Sequence, residues 1–216
     1  MGPLPSVSLG MRPVPSGEVL HGVARSLRVI GLQLLLLVAL AGASAAATGE
    51  VTRTKDAETG LLSWRWGVQG VSIELTQLLP DQTRAFFLGR RFSREATDRI
   101  ALTRVFQTAF RNNGESAVEY DLNDWAVLHG GVRLPVRTRE VWDPEWATAG
   151  VTEASRIAFR WALLPTVQRF EPGDYNWGMT SFGLPPGERL DLSLGVRIGG
   201  RVVEGKIPGM LCASDR

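Results

Sequence analysis

The stretch FEPGDYNWGMTSFGLPPGERLDLSLGV, from Phe170 to Val196, decides the fold class predicted for this chain. Two Pro-Gly turns divide it into two segments, the first of which runs from Tyr175 to Phe182. In the second segment, apolar residues alternate with polar ones at Leu190, Leu192, Leu194 and Val196. A period of two residues is typical of a strand with one buried face and one solvent face. We therefore predict a pair of strands that closes a small β-sandwich.

The same alternation recurs along the rest of the chain. It predicts two strands around the turn between Gly67 and Gly70, with Trp64, Trp66, Val71, Ile73 and Leu75 buried. Further strands are predicted at 105–110, 118–122, 125–129, 132–136 and 201–207. Turn residues, including Asn113-Gly114, Gly130-Gly131 and Gly199-Gly200, separate them. Short strands divided by such turns indicate an all-β sandwich or barrel.

Two segments break the strand pattern and predict short helical insertions. In the first, Asp81 caps a helix through Leu88 and Ser93 caps another. In the second, Thr152 begins a helix through Ala162, whose buried face is predicted to carry Ile157, Trp161 and Leu164. The preceding EVWDPEW segment is interpreted as a loop in which Asp143 caps a helical turn that starts at Pro144. The predicted fold is mainly β, an antiparallel β-sandwich with these two short helical insertions.

The first 47 residues predict an N-terminal extension and a secretory signal peptide. Arg25 and Arg28 precede a 13-residue apolar run, and small residues that allow cleavage after Ala45 or Ala47 follow it. Retention as an uncleaved anchor is the alternative, although a spanning helix needs about 20 residues. Residues 48–60 are predicted to be a flexible lead-in, and 61–216 a single domain in the periplasm or outside the cell.

The charge balance argues against a nucleic-acid partner. The net charge of +2 equals that of residues 1–45, which hold three arginines and one glutamate. The remainder, with 21 bases and 21 acids, is neutral. The basic isoelectric point therefore does not indicate a nucleic-acid-binding domain.

The order of turns and strands resembles a known class of domain. It is carried by VFQTAFRNNGESAVEYDLNDWAVLHGGVRLPV and by FEPGDYNWGMTSFGLPPGERLDLSL. These segments resemble the immunoglobulin-like, or telokin-like, domains of exported bacterial proteins of unknown function, over Val105 to Ile207. The resemblance implies a β-sandwich and an extracytoplasmic location, and it carries no catalytic residues.

Few side chains after the signal segment can support catalysis. His129 is the one histidine and Cys212 the one cysteine, and no G-x-S-x-G motif is present. No disulfide within the chain is therefore available, and Cys212 is predicted to be packed at the end of a strand. An alternative hypothesis is a copper site, since His129, Met179, Met210 and Cys212 are donors that copper accepts.

The acidic residues Glu119, Asp121 and Asp124 form a close group, and paired carboxylates can hydrolyse glycosidic bonds when their spacing is right. The preferred interpretation is a solvated strand face followed by an aspartate turn before Trp125.

Two groups of residues are candidates for binding a partner. Arg90, Arg91 and Arg94 lie in an arginine-rich segment with interspersed phenylalanines. This segment is either a solvated face with its aromatic residues in the core or a docking surface for an anionic partner or lipid headgroups. Trp142 and Trp146 lie among acids in the predicted loop, where they either pack against the sandwich or form a protein-binding lip, since exposed tryptophan is a frequent interface anchor. The resulting hypothesis is a non-enzymatic binding or assembly-accessory module with a protein partner in the cell envelope. Membrane contact is expected only through an uncleaved signal segment.

Overall fold

The protein, represented by a computed structural model, is described over residues 49–185 and 187–214. It is mainly β, with two antiparallel sheets and a few short helices, which confirms the predicted fold class. The signal peptide predicted within residues 1–47 lies outside the described residues. No helix among the described residues is both long enough and apolar enough to cross a membrane.

The described residues form eleven strands and four helices. The strands are β1 Glu50–Lys55, β2 Leu62–Val68, β3 Val71–Gln77, β4 Val105–Asn112, β5 Val118–Asp121, β6 Ala126–His129, β7 Val132–Pro135, β8 Val167–Phe170, β9 Tyr175–Ser181, β10 Arg189–Ile198 and β11 Arg201–Leu211. The helices are α1 Pro80–Leu88, α2 Arg94–Ala101, α3 Arg139–Thr148 and α4 Glu153–Ala162.

The strands form two sheets of different design. Sheet A has the order β1-β2-β3-β4-β9. Sheet B is built around β10, which pairs with β11 along one edge. The other edge of β10 is shared by two strands, because residues 191–193 pair with β6 and residues 196–198 pair with β5. β7 and β8 then extend sheet B beyond β6 and β5.

Alternating side chains of the two sheets form the sandwich core. Its largest members include Trp64, Trp66, Phe106, Phe110, Trp125, Phe170 and Leu192. The predicted inward positions of β2, β3 and β10 are all buried, so the period of two identified these faces correctly.

The helices form a second core on the outer face of sheet A, called here the helical core. It contains Phe87, Phe92, Ile100, Trp142, Trp146, Phe159 and Leu163. Val105 of β4 and Met179 of β9 belong to it, whereas Phe106, the next residue in β4, belongs to the sandwich core. Because adjacent strand residues face opposite sides, the helices cover one end of the outer face of sheet A.

The Phe170–Val196 stretch does contain two strands, but the prediction that they form a pair is wrong. β9 lies at the edge of sheet A, and β10 lies in the middle of sheet B. The connection between them contributes Phe182 and Leu184 to the sandwich core. The chain therefore crosses from one sheet to the other after β9.

The predicted lead-in at residues 48–60 is also corrected, because it contains β1. Val51 is opposite Trp66 in the antiparallel pairing with β2. β1 is charged and threonine-rich, a composition that suits an exposed edge strand but lacks the apolar alternation used to predict strands.

The helix predicted at Thr152 is confirmed, but its buried face is not the predicted one. The Thr152 hydroxyl accepts a hydrogen bond from the Ser155 backbone and caps α4. Phe159 and Ser155 face the interior, whereas Ile157 is 41% exposed and Trp161 is 83% exposed. Helix α4 thus has two apolar faces, and the face with Phe159 packs in the interior while the face with Ile157 and Trp161 stays exposed.

Gly178 of β9 gives a direct test of how closely the chain is packed. A Cβ at this position would lie 2.5 Å from the backbone nitrogen of Leu164 and 2.8 Å from the carbonyl carbon of Leu163. We expect Gly178→Ala to lower the free energy of unfolding by about 1–3 kcal/mol or more, because backbone atoms would have to move. Urea denaturation measures this change.

Gly195 of β10 is the matched control, because a Cβ there would meet no atom within 4 Å. Gly195→Ala is expected to leave stability unchanged or slightly raised, since alanine restricts the unfolded chain. Equal stability of the two variants would contradict the close contact at Gly178.

Candidate functional site

Trp142 and Trp146 lie in the helical core, so the prediction that they form an exposed lip is wrong. Their exposed fractions are 0% and 1%. The segment is helix α3 rather than a loop, and Pro144 lies inside it rather than at its start. Residues four apart share one helix face, and the two indoles stack with centroids 4.9 Å apart and planes 7° from parallel.

Two arginines and one carboxylate enclose the stacked indoles. The Arg137 guanidinium lies 4.0 Å from the Trp142 ring centroid, in cation–π geometry. It also donates to both carboxylate oxygens of Glu145 at 2.7 Å. Arg99 donates to the same carboxylate and lies 5.4 Å from the Trp146 centroid. The ion pairs of Glu145 thus keep Arg137 and Arg99 close to the buried indole rings.

Because both tryptophans are buried, we expect them to contribute to the stability of the fold. We expect Trp142→Ala or Trp146→Ala to lower the free energy of unfolding by about 3–5 kcal/mol, because each leaves a cavity among Phe92 and Phe159. Urea denaturation followed by circular dichroism measures the loss.

Trp177→Ala is the matched control for these two variants, since the Trp177 side chain is 59% exposed. Its effect should be within about 0.5 kcal/mol of zero. A similar stability of all three variants would contradict the assignment of α3 to the core.

The three candidate arginines differ in their contacts, and their role in binding stays a prediction. Arg90 lies with its guanidinium carbon 3.3 Å from the Phe86 ring centroid and donates to the Phe86 carbonyl oxygen at 2.9 Å. It therefore closes the end of α1. Arg91 and Arg94 are exposed, and Arg91 has a positive φ of 64° in the turn before α2.

The four candidate copper ligands lie in three separate parts of the structure. Met179 belongs to the helical core, while Met210 and Cys212 belong to the sandwich core. His129 lies at the surface of sheet B, where Nδ1 is 3.0 Å from the Arg189 carbonyl oxygen and Nε2 is 3.8 Å from a Glu188 carboxylate oxygen. Within residues 49–185 and 187–214, no group of three or more histidine, cysteine or acidic side chains is arranged to hold a metal.

Cys212 is packed against the interior, as predicted, with 1% of its surface exposed. Burial raises the pKa of its thiol from 9.0 to about 11, and the charge of Arg104 offsets this only in part. Arg104 is itself buried and donates to the Ala213 carbonyl oxygen at 2.8 Å, which ties down the chain after β11.

We therefore expect Cys212 to resist alkylation in the native protein. At pH 8 the thiol is almost entirely protonated, and the protonated form is a poor nucleophile. Iodoacetamide labelling followed by mass spectrometry should show slow modification in buffer and rapid modification in guanidinium chloride. Rapid labelling of the native protein would contradict a buried, high-pKa thiol.

The predicted acidic group lines a groove of about 570 Å³ on the outer face of sheet B. The groove lies where β5 and β6 pair with different parts of β10, and the Trp125 indole N–H donates to the Gly195 carbonyl oxygen beneath it. Glu119 accepts from Arg169 at 2.7 Å, and Asp121 accepts from the Asn123 backbone at 2.8 Å. The aspartate turn predicted before Trp125 is thus confirmed.

The walls of the groove carry both positive and negative side chains, so they do not favour a ligand of one charge. Arg133 and Arg197 line it together with Asp124 and Glu204, so both signs occur on its walls. Two of its acids already have partners within the chain.

The exposed face of β9 is the site that sequence reasoning missed. Tyr175 is 62% exposed and Trp177 is 59% exposed, and both point away from the sandwich core on the outer face of sheet A. Arg111, directly opposite Tyr175 on β4, lies with its guanidinium carbon 5.1 Å from the tyrosine ring centroid. We call these three residues the β9 surface. The predicted strand from Tyr175 to Phe182 places residues 175 and 177 on one face by strand geometry, but the sequence pattern does not show whether the helices cover that face.

Comparisons with family models, with curated proteins and with solved structures give no significant match to this chain. The resemblance to telokin-like domains therefore stays a prediction.

Proposed function

We propose that this protein is an exported, non-enzymatic binding or assembly-accessory module that docks onto a protein partner in the cell envelope through the β9 surface. The observation that carries the proposal is the exposure of Tyr175 and Trp177 on one face of a sheet edge. Exposed, adjacent aromatic residues are the commonest anchors of protein interfaces, because they bury a large area at a small cost in side-chain entropy.

The shape and rigidity of the β9 surface favour a protein over a small ligand. Small molecules bind in concave pockets, whereas Tyr175 and Trp177 stand on the face of a strand. The contact with Arg111 holds Tyr175 over the sheet, so little freedom is lost when a partner covers it. The arginine also supplies a cation at the edge of an aromatic patch, a composition typical of interface centres.

The β9 edge is protected, so a partner is expected to bind the face rather than add a strand. The Asn176 side-chain oxygen accepts a hydrogen bond from the Trp177 backbone N–H at 2.8 Å. Its amide nitrogen donates to Gln168 of β8 at 2.7 Å. The Trp177 N–H is thus already bonded, and the Met179 carbonyl oxygen accepts from the Leu164 N–H, so neither group is available to an added strand.

The remaining features support export and the absence of catalysis. The apolar run followed by small residues is typical of a signal peptide. His129 is engaged with Arg189, and Cys212 is buried with a raised pKa, so neither is prepared to act as a base or nucleophile. The neutral charge of residues 46–216 suits a protein partner better than a nucleic acid.

The proposal is tested by affinity co-purification from the native host. The full chain with a C-terminal tag is crosslinked in the envelope, and proteins recovered with it are identified by mass spectrometry. We expect a reproducible partner whose recovery falls about tenfold or more with a Tyr175→Ala, Trp177→Ala double variant.

Val202→Ala is the matched control, because Val202 is an apolar residue of sheet B with 61% exposure. It should recover the partner as the unaltered chain does. Equal recovery with the double variant, or recovery of a polysaccharide without any protein, would overturn the proposal.

A further inference from the structure

Helix α4 carries an exposed apolar stripe that the proposed function does not use. The stripe consists of Ala154, Ile157, Ala158 and Trp161, at the spacing i, i+3, i+4 and i+7. Trp161 is 83% exposed, the highest exposure among the large apolar side chains of the described residues. Ile157 is 41% exposed, Ala154 is exposed and Ala158 is half-buried.

The stripe is a face of its own and not the margin of the helical core. At about 100° per residue, its four members span an arc of about 100°. Phe159 and Ser155, which α4 buries, point in a different direction about 120° away. Single exposed apolar residues are ordinary, but a continuous stripe along one helix is typical of an interaction surface.

The order of large and small side chains makes the stripe complementary to itself. In a two-fold symmetric pair of helices, residue i contacts residue j and residue j contacts residue i. When two antiparallel copies of α4 meet with the axis between Ile157 and Ala158, Trp161 of one copy lies opposite Ala154 of the other. Ile157 and Ala158 lie on opposite flanks of the stripe, so Ile157 of one copy lies beside Ile157 of the other, and Ala158 lies beside Ala158. The large Trp161 side chain thus faces a small one, which allows the two helices to approach closely.

The charges of α4 agree with the same antiparallel arrangement. Glu153 lies in the first turn and Arg160 in the last. Arg160 contacts Asp143 of its own chain at 3.3 Å. In the antiparallel pair it also lies within one turn of Glu153 of the other copy, on the same flank of the two helices. The helix dipoles also oppose each other, which favours antiparallel neighbours. Because residues 46–216 are neutral, two copies approach without net repulsion.

We infer that a second copy of this chain covers the stripe, forming a two-fold symmetric dimer through antiparallel α4 helices. This surface differs from the β9 surface, so each copy in the dimer keeps Tyr175 and Trp177 for its partner. One pair of short helices is a small interface, and the dimer is therefore expected to be reversible and dependent on protein concentration.

Sedimentation equilibrium of the purified full chain tests the dimer over a range of concentrations. We expect a monomer–dimer equilibrium, and Trp161→Ala should raise its dissociation constant by about tenfold or more. Trp177→Ala is the control and should leave the equilibrium unchanged. A monomer at every concentration, or a dimer that is insensitive to Trp161→Ala, would overturn the inference.

Disulfide crosslinking tests the antiparallel register independently of the affinity. Ile157→Cys places a thiol beside the symmetry axis, where two copies approach within the reach of a disulfide. Mild oxidation should give a covalent dimer that a reductant removes. Val141→Cys on α3 is the matched control, since Val141 is 46% exposed, and it should stay monomeric.

If sedimentation shows a dimer but oxidation of the Ile157→Cys variant gives no covalent dimer, the antiparallel register of α4 is overturned. The two proposals fail separately, because loss of the dimer leaves the Tyr175 and Trp177 co-purification result intact, and loss of the partner leaves sedimentation unchanged.

Discussion

The junction of Leu163 and Leu164 with Gly178 is the contact on which the arrangement of the layers depends. These neighbouring leucines pack in different cores, Leu163 in the helical core and Leu164 in the sandwich core. The Leu164 N–H donates to the Met179 carbonyl oxygen at 2.9 Å, so the chain leaving α4 attaches to the edge of β9. Only glycine at position 178 leaves room for this approach. The chain then enters β8 in the other sheet.

This junction also determines which aromatic residues reach solvent. The helices cover Met179 and Val105 at one end of the outer face of sheet A, and they bury Trp142 and Trp146 beneath them. Tyr175 and Trp177 lie at the other end of the same face, where no helix among the described residues covers them. The proposed binding and the stability of the helical core are therefore expected to depend on different tryptophans, so that either can be altered by mutation without the other. The α4 stripe is a second uncovered surface with its own self-complementary pattern.

Much of the fold was predictable because its signals are local. The period of two identified the inward residues of β2, β3 and β10, since side chains alternate by the geometry of the strand itself. The predicted cap Ser93 and the predicted helix start at Thr152 are confirmed, because a hydroxyl that accepts from the N–H three residues later stabilises the first turn. β1 was missed because an edge strand needs charged residues and has no inward stripe to detect.

The candidate site was not predictable in the same way, since exposure depends on what packs from elsewhere in the chain. The sequence by itself determined the mainly β class, the turns between strands, the Ser93 cap and the start of α4 at Thr152. The predicted cap Asp81 instead lies inside α1, which follows Leu79. Only the tertiary structure decided that Trp142 and Trp146 are buried on one helix and that Tyr175, Trp177 and Trp161 are exposed. The physical reason is that periodicity specifies which side chains point together, whereas burial requires a surface from a distant segment to cover them.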